Sequence, residues 1–133
     1  MTGKKILIVD DDEDLVLGLT PKLKANGYLV LRAMDAVSAI AVAREEAPDL
    51  VILDLGLPAG DGFVVLQRMR ALADLEATPV IVLSARDPAD NEKRAIDAGV
   101  VAYFRKPADN HELLAAIRSA LGESNALSTF LKT

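Results

Sequence analysis

The chain contains no cysteine, which excludes disulfides, thiol nucleophiles and cysteine-based metal sites. Aromatic residues supply only 4 %, while hydrophobic residues make up 51 %, so the core must be built from Leu, Val, Ile and Ala. Positive charge is in deficit: 15 Lys and Arg face 20 Asp and Glu, a net charge of −5. That balance argues against the domain gripping nucleic acid through its own surface. The one histidine, His111, falls in the first turn of the last helix pattern, and we assign it no role. No apolar run exceeds strand length, so no segment is expected to span a membrane. The opening Met-Thr-Gly-Lys-Lys-Ile-Leu-Ile-Val lacks the long apolar region and cleavage site of a signal peptide, which makes the cytoplasm the expected compartment. Internal repeats and low-complexity segments are missing too. The 133 residues are enough for one domain with a single good core.

What is present is organised around Leu50-Val51-Ile52-Leu53-Asp54-Leu55-Gly56-Leu57-Pro58. Four consecutive large aliphatic residues with no polar alternation predict a strand buried on both faces, as in a parallel sheet covered by helices. The run ends on a carboxylate and then breaks at Gly and Pro. Open α/β sheets hold their ligands beyond the carboxyl ends of the strands, where Asp54 falls.

Strand and helix patterns alternate five times. Ile6-Leu7-Ile8-Val9 is a second all-apolar strand, followed by Asp10-Asp11-Asp12-Glu13-Asp14. A helix with Leu15, Val16, Leu19 and Leu23 inward stops at Asn26-Gly27, glycine suiting the position just past a helix end. Pro21 inside it predicts a kink or a loosened turn. Residues 28–32 read as the second strand. Asp35 caps the next helix, with Val37, Ile40 and Ala41 expected inward and its end before Pro48. The third strand is 50–53, then a loop over 58–62, then a helix with the stripe Phe63, Leu66, Met69 and Leu72. Residues 79–83 form the fourth strand, ending at Ser84-Ala85. The helix over 88–98 is weakly apolar, with Ala95 and Ile96 its inward candidates, so it is the helix expected to move most readily. The fifth strand, 102–105, ends at Lys106-Pro107. A last helix from Asp109 or Asn110 buries Leu113, Leu114 and Ile117, and Gly122 marks its end. Short links between alternating elements predict an α/β fold: a doubly wound, five-stranded parallel sheet with helices on both faces.

In such a sheet the strand ends share one edge. Asp10 and Asp11, Asp54, Ser84 and Lys106 therefore converge on one crevice. Taken singly, each has a bland reading: first-turn acids favoured by the helix dipole, a strand-end cap, a turn serine, a solvated lysine. Together, on four strand ends, they point to chemistry. Repelling carboxylates call for a divalent cation, and a donor set of oxygen alone favours a hard ion such as Mg²⁺. Asp54 is then the candidate nucleophile for a phosphoryl group, with Lys106 and Ser84 binding its other oxygens.

These blocks resemble the receiver domains of bacterial two-component response regulators. The resemblance covers about residues 4 to 122. It rests on Ile6-Leu7-Ile8-Val9-Asp10-Asp11-Asp12, on Pro48-Asp49-Leu50-Val51-Ile52-Leu53-Asp54-Leu55 with Leu57-Pro58 and Asp61-Gly62, on Val82-Leu83-Ser84-Ala85, and on Tyr103-Phe104-Arg105-Lys106-Pro107. It implies a flavodoxin-like, CheY-like (βα)5 fold with strand order 2-1-3-4-5. It implies that Asp54 is the phosphoacceptor, and that Asp10, Asp11, Asp54 and the backbone carbonyl of Gly56 hold Mg²⁺. By the same resemblance Lys106 contacts the phosphoryl group, the Lys106–Pro107 bond is cis, Ser84 is the switch hydroxyl and Tyr103 the switch aromatic. The implied function is a phosphorylation-activated signalling switch and not a metabolic enzyme. A histidine kinase or histidine phosphotransfer protein would supply the phosphoryl group. A downstream output domain or protein would read the altered surface of the fourth helix, fifth strand and fifth helix.

The chain departs from the family's pattern in few places. Gly56 and Arg86 occupy two positions that tune phosphoryl lifetime in the family. Pro21 is unusual for the first helix. Ala108-Asp109 replaces the phenylalanine common in regulators with DNA-binding output domains, which favours a stand-alone receiver or one cut from a larger or hybrid protein. Residues 123–133 are expected to be a tail or the start of a linker beyond the 1–122 domain. The alternative from another class is a Mg²⁺-dependent phosphohydrolase with an aspartate nucleophile. Its acid–base aspartate, two residues after the nucleophile, is replaced here by Gly56. A flavin-binding module is a second alternative, but the acidic crevice would repel a flavin phosphate.

Overall fold

The computed structural model describes residues 3–58 and 61–123. Strands β1 (Lys5–Val9), β2 (Leu29–Ala33), β3 (Leu50–Leu53), β4 (Val80–Ser84) and β5 (Ala102–Arg105) form one parallel sheet in the order β2-β1-β3-β4-β5. Helices α1 (Glu13–Ala25), α2 (Ala36–Glu46), α3 (Gly62–Ala71), α4 (Pro88–Asp97) and α5 (Asn110–Ala120) alternate with the strands. The fold class and strand order are those expected.

The apolar strands divide their side chains between two cores, as the side-chain period of two requires. Leu7, Val9, Val51, Leu53, Val80 and Val82 pack with residues of α2, α3 and α4. Ile6, Ile8, Leu50, Ile52, Ile81 and Leu83 pack with Val16, Leu19 and Leu23 of α1 and Leu113 and Ile117 of α5. Burial on both faces is why β1, β3 and β4 lack polar alternation.

Each helix begins on an aspartate whose carboxylate accepts a first-turn N–H: Asp12, Asp35, Asp61, Asp87 and Asp109. α1 runs through Pro21, which lies on the exposed side, and Gly27 follows it at φ 87°. β2 begins one residue later than expected. Tyr28 precedes it, buried, its hydroxyl donating to Glu123 at 2.8 Å, and burial with this partner pushes the phenol up to about 12. β4 likewise starts at Val80 and carries Ser84 as its last residue.

The phase of α2 differs from expectation. Ala36, Ala39 and Ala43 face the core, Val37 is 67 % exposed, Ala41 is exposed, and Ile40 is only partly buried. Small residues let this helix lie close to the sheet, so its inward stripe is alanine, which hydrophobicity alone ranks below Val37. α4 buries Ala95 only, and Ile96 is 46 % exposed, so this helix is anchored more lightly than expected. Gly62, expected in a loop, is the first residue of α3. Glu123, placed by the sequence in the tail, is joined to Tyr28 and pairs with Lys4 at 3.7 Å. The rest of the expected tail, 124–133, lies outside the described residues. Among the described residues no helix is long and apolar enough to cross a membrane.

Candidate active site at the strand ends

Backbone pairing levels the strand ends. Asp10 N–H donates to Ala33 carbonyl at 3.0 Å, Asp54 N–H to Val9 carbonyl at 2.9 Å, and Lys106 N–H to Ser84 carbonyl at 2.8 Å. Among the described residues, Asp10, Asp54 and Ser84 are the buried polar ones, at 2 %, 7 % and 1 % exposure. Asp10, Asp11 and Asp54 each bring one carboxylate oxygen to within 4.8 Å of the others. The Lys106 Nζ stands 2.9 Å from Asp10 Oδ2, 3.6 Å from Asp54 Oδ2 and 4.0 Å from Asp12 Oδ2. Its peptide bond to Pro107 is cis.

The remaining carboxylate oxygens are steered by backbone donors. Asp12 N–H donates to Asp10 Oδ1 at 2.9 Å, and Gly56 N–H donates to Asp54 Oδ1 at 3.2 Å. Asp11 is exposed, and its carboxylate has no protein partner among the described residues. Burial raises the Asp10 carboxyl above its ordinary value and Asp54 adds to this, against hydrogen bonds from Lys106 and Asp12. Burial pushes the Lys106 ammonium down, but Asp10, Asp54 and Asp12 together more than offset it, and the net direction is up. Two buried carboxylates around one lysine are a poor stabilising device, because desolvation cancels much of the attraction. The raised Asp10 pKa means the folded chain holds that proton more tightly than the unfolded chain does. Its charge therefore costs stability at neutral pH, a cost that fades as pH falls into the ordinary carboxylate range.

Ser84 and Tyr103 do not point their hydroxyls at this cluster through any direct bond. Ser84 Oγ accepts Arg86 N–H at 3.3 Å, and Tyr103 Oη donates to the Arg86 carbonyl at 2.9 Å. Sequence reasoning misses Arg32 altogether and marks Arg86 only for its position two after Ser84. Arg32, at the end of β2, pairs with Glu13 at 3.1 Å and reaches the Asp10 carbonyl at 3.4 Å. Arg86 pairs with Asp61 at 2.8 Å. The signal for Arg32 was a cation inside an apolar strand, next to Ile8 of the first strand in register.

A doubly wound parallel sheet in the order β2-β1-β3-β4-β5 defines the flavodoxin-like class, and here its strand ends carry an acidic, lysine-bridged cluster. Within that class the chain belongs to the response regulator receiver domains, whose family model matches residues 6–118. It is 34 % identical to the transcriptional regulatory protein PrrA of Mycobacterium tuberculosis, over 97 % of this chain and 54 % of PrrA. It is 39 % identical to the transcriptional regulatory protein KdpE of the same species, over 91 % of this chain and 52 % of KdpE. The chain thus spans about half the length of these relatives. Among solved structures it resembles the receiver domain of sensor histidine kinase PA1611 from Pseudomonas aeruginosa, with a TM-score of 0.83 and 26 % identity over 92 % of this chain and all of that one. That structure holds a magnesium ion coordinated in the active site cleft. The chemotaxis response regulator CheY4 of Vibrio cholerae matches with a TM-score of 0.82 and 26 % identity over 90 % of this chain and all of that one. The chain is a receiver domain of the two-component response regulator kind, a phosphorylation-activated switch.

Proposed function

We propose that Asp54 accepts a phosphoryl group from a phosphohistidine, on a histidine kinase or histidine phosphotransfer protein, at a site completed by Mg²⁺. The observation that carries this reading is the triad of Asp10, Asp11 and Asp54 oxygens within 4.8 Å, with Lys106 Nζ bridging two of those residues. Asp10, Asp11, Asp54 and the Gly56 carbonyl would hold the ion. An all-oxygen donor set suits a hard cation, and Mg²⁺ keeps positions open for phosphate oxygens. When bound, it neutralises charge on the transferring group.

The chain's own residues do the rest. A carboxylate oxygen of Asp54 attacks phosphorus, a P–O bond forms as the P–N bond breaks, and the electron pair leaves on the imidazole nitrogen. Lys106 stabilises the phosphoryl oxygens. Ser84 leaves the Arg86 N–H and donates its hydroxyl to one of them. Tyr103 fills the space left, and the lightly anchored α4 shifts with β5 and α5 to present a new surface to an output domain or protein. The cytoplasm is the compartment where such donors act. Gly56 places no acid–base carboxylate beside the acylphosphate, so one equivalent is retained and continuous phosphoester turnover is not expected.

Metal addition tests the site. Mg²⁺ at one hundred times its dissociation constant raises the unfolding free energy by about 2.7 kcal/mol, reversed by chelation. Asp11→Asn removes most of this gain while changing metal-free stability by no more than about 0.5 kcal/mol, because Asp11 is exposed. Equal Mg²⁺ stabilisation of both proteins, read by urea denaturation, would contradict the assignment.

A further inference from the structure

Arg86 makes three bonds at one point in the fold. It lies between the last residue of β4, Ser84, and the cap of α4, Asp87. Its N–H holds Ser84 Oγ and its carbonyl holds Tyr103 Oη. Its guanidinium reaches across to the segment that follows Asp54 and pairs with Asp61 Oδ2 at 2.8 Å. Asp61 is itself fixed, because its other oxygen accepts Phe63 N–H at 2.9 Å as the cap of α3. Both partners are a little over one-third exposed, at 37 % and 38 %. Among the described residues it is the one ion pair joining these two segments. The contact is extended by Arg94 of α4, stacked 3.7 Å over the Phe63 ring of α3.

We propose that Arg86 and Asp61 form a latch that holds the resting arrangement of the switch. The inference rests on the assignment of Asp54 as phosphoacceptor. While Asp61 grips the guanidinium, the Arg86 backbone is pinned where it engages both hydroxyls. Ser84 can turn to a phosphoryl oxygen only by giving up the Arg86 N–H, and Tyr103 can follow only by giving up the Arg86 carbonyl. A tethered Arg86 keeps both original partners in place and so favours the resting state. Arg86 and Asp61 are positioning residues: they act on the equilibrium through Ser84 and Tyr103.

The latch predicts a sign that simple charge does not. Removing a cation near an anion site should weaken anion binding, and removing an anion should strengthen it. Releasing a latch should strengthen binding in both cases, since either variant frees the same segment. The experiment is calorimetric titration of the phosphoryl mimic beryllium trifluoride at constant Mg²⁺. Arg86→Gln and Asp61→Asn should each tighten binding by about two- to fivefold, the range that loss of a partly exposed ion pair allows. Asparagine can still accept Phe63 N–H, so the α3 cap survives. The double variant should bind no more tightly than either single one, and Arg86→Lys, which keeps the pair, should resemble the parent. Opposite effects of the two single variants, no effect, or additive effects would overturn the latch. If the unaltered chain fails to bind the mimic, or Asp54→Asn binds it equally well, the assignment of Asp54 fails and takes the latch with it.

Discussion

Gly62→Ala unfolds or misplaces the site, with a loss of stability of about 3 kcal/mol or more and little phosphoryl acceptance left. The reason is contact and not backbone conformation, for Gly62 is absent from the positive-φ glycines. A Cβ there would collide with the Asp54 carbonyl oxygen and stand 2.7 Å from Leu55 Cα and 3.2 Å from Asp54 carbonyl carbon. All are backbone atoms of the segment that carries the nucleophile, and Gly62 N–H also donates to the Leu55 carbonyl at 2.9 Å. α3 therefore starts directly against the strand end, and relief requires moving one of them. Gly18→Ala is the control. Gly18 lies on the exposed side of α1 with nothing within 4 Å of the added carbon, so the substitution gains about 0.5–1 kcal/mol. Urea denaturation of both variants checks the contrast, and equal stabilities would contradict the close packing of α3 against the strand end.

Lys106→Ala is expected to fail in two ways. Phosphoryl acceptance falls by about 10²-fold or more, since a preorganised cation is removed from the reacting oxygens. Stability at neutral pH falls by about 3–5 kcal/mol, the cost of leaving a buried charge without its partner. The Lys106 side chain is only 16 % exposed, so water replaces it poorly. Asp10, already raised by burial, then loses the hydrogen bond that opposes the rise. A carboxyl whose folded pKa is raised gives full stability below its unfolded pKa and loses it as pH rises through the folded one. The deficit of the variant should therefore shrink on acidification toward the carboxylate range. A deficit that is constant with pH would place the effect elsewhere.

How much of this was legible beforehand follows from the range of each signal. β1, β3 and β4 announce themselves because burial on both faces leaves unbroken aliphatic runs, and Asp10 and Asp54 stand out because each ends such a run. A parallel sheet then places Asp54 and Lys106 on one edge although 51 residues lie between them in sequence. The aspartate caps were readable for the same reason, being local. The inward face of α2 was not, because Ala36, Ala39 and Ala43 are selected by how closely the helix approaches the sheet and not by hydrophobicity. The partners of Arg32 and Arg86 escaped because a long side chain chooses them from neighbouring elements, Glu13 in one case and Asp61 in the other. Sequence spacing carries no record of that choice.

The account stands on Asp54 as the acceptor, and one measurement addresses it: the intact mass of the chain after incubation with a small-molecule phosphodonor and Mg²⁺. A single phosphoryl adduct on the unaltered chain, lost on chelation of the metal and absent from Asp54→Asn, is the predicted result. An adduct that persists in Asp54→Asn, or forms equally well without metal, would contradict it.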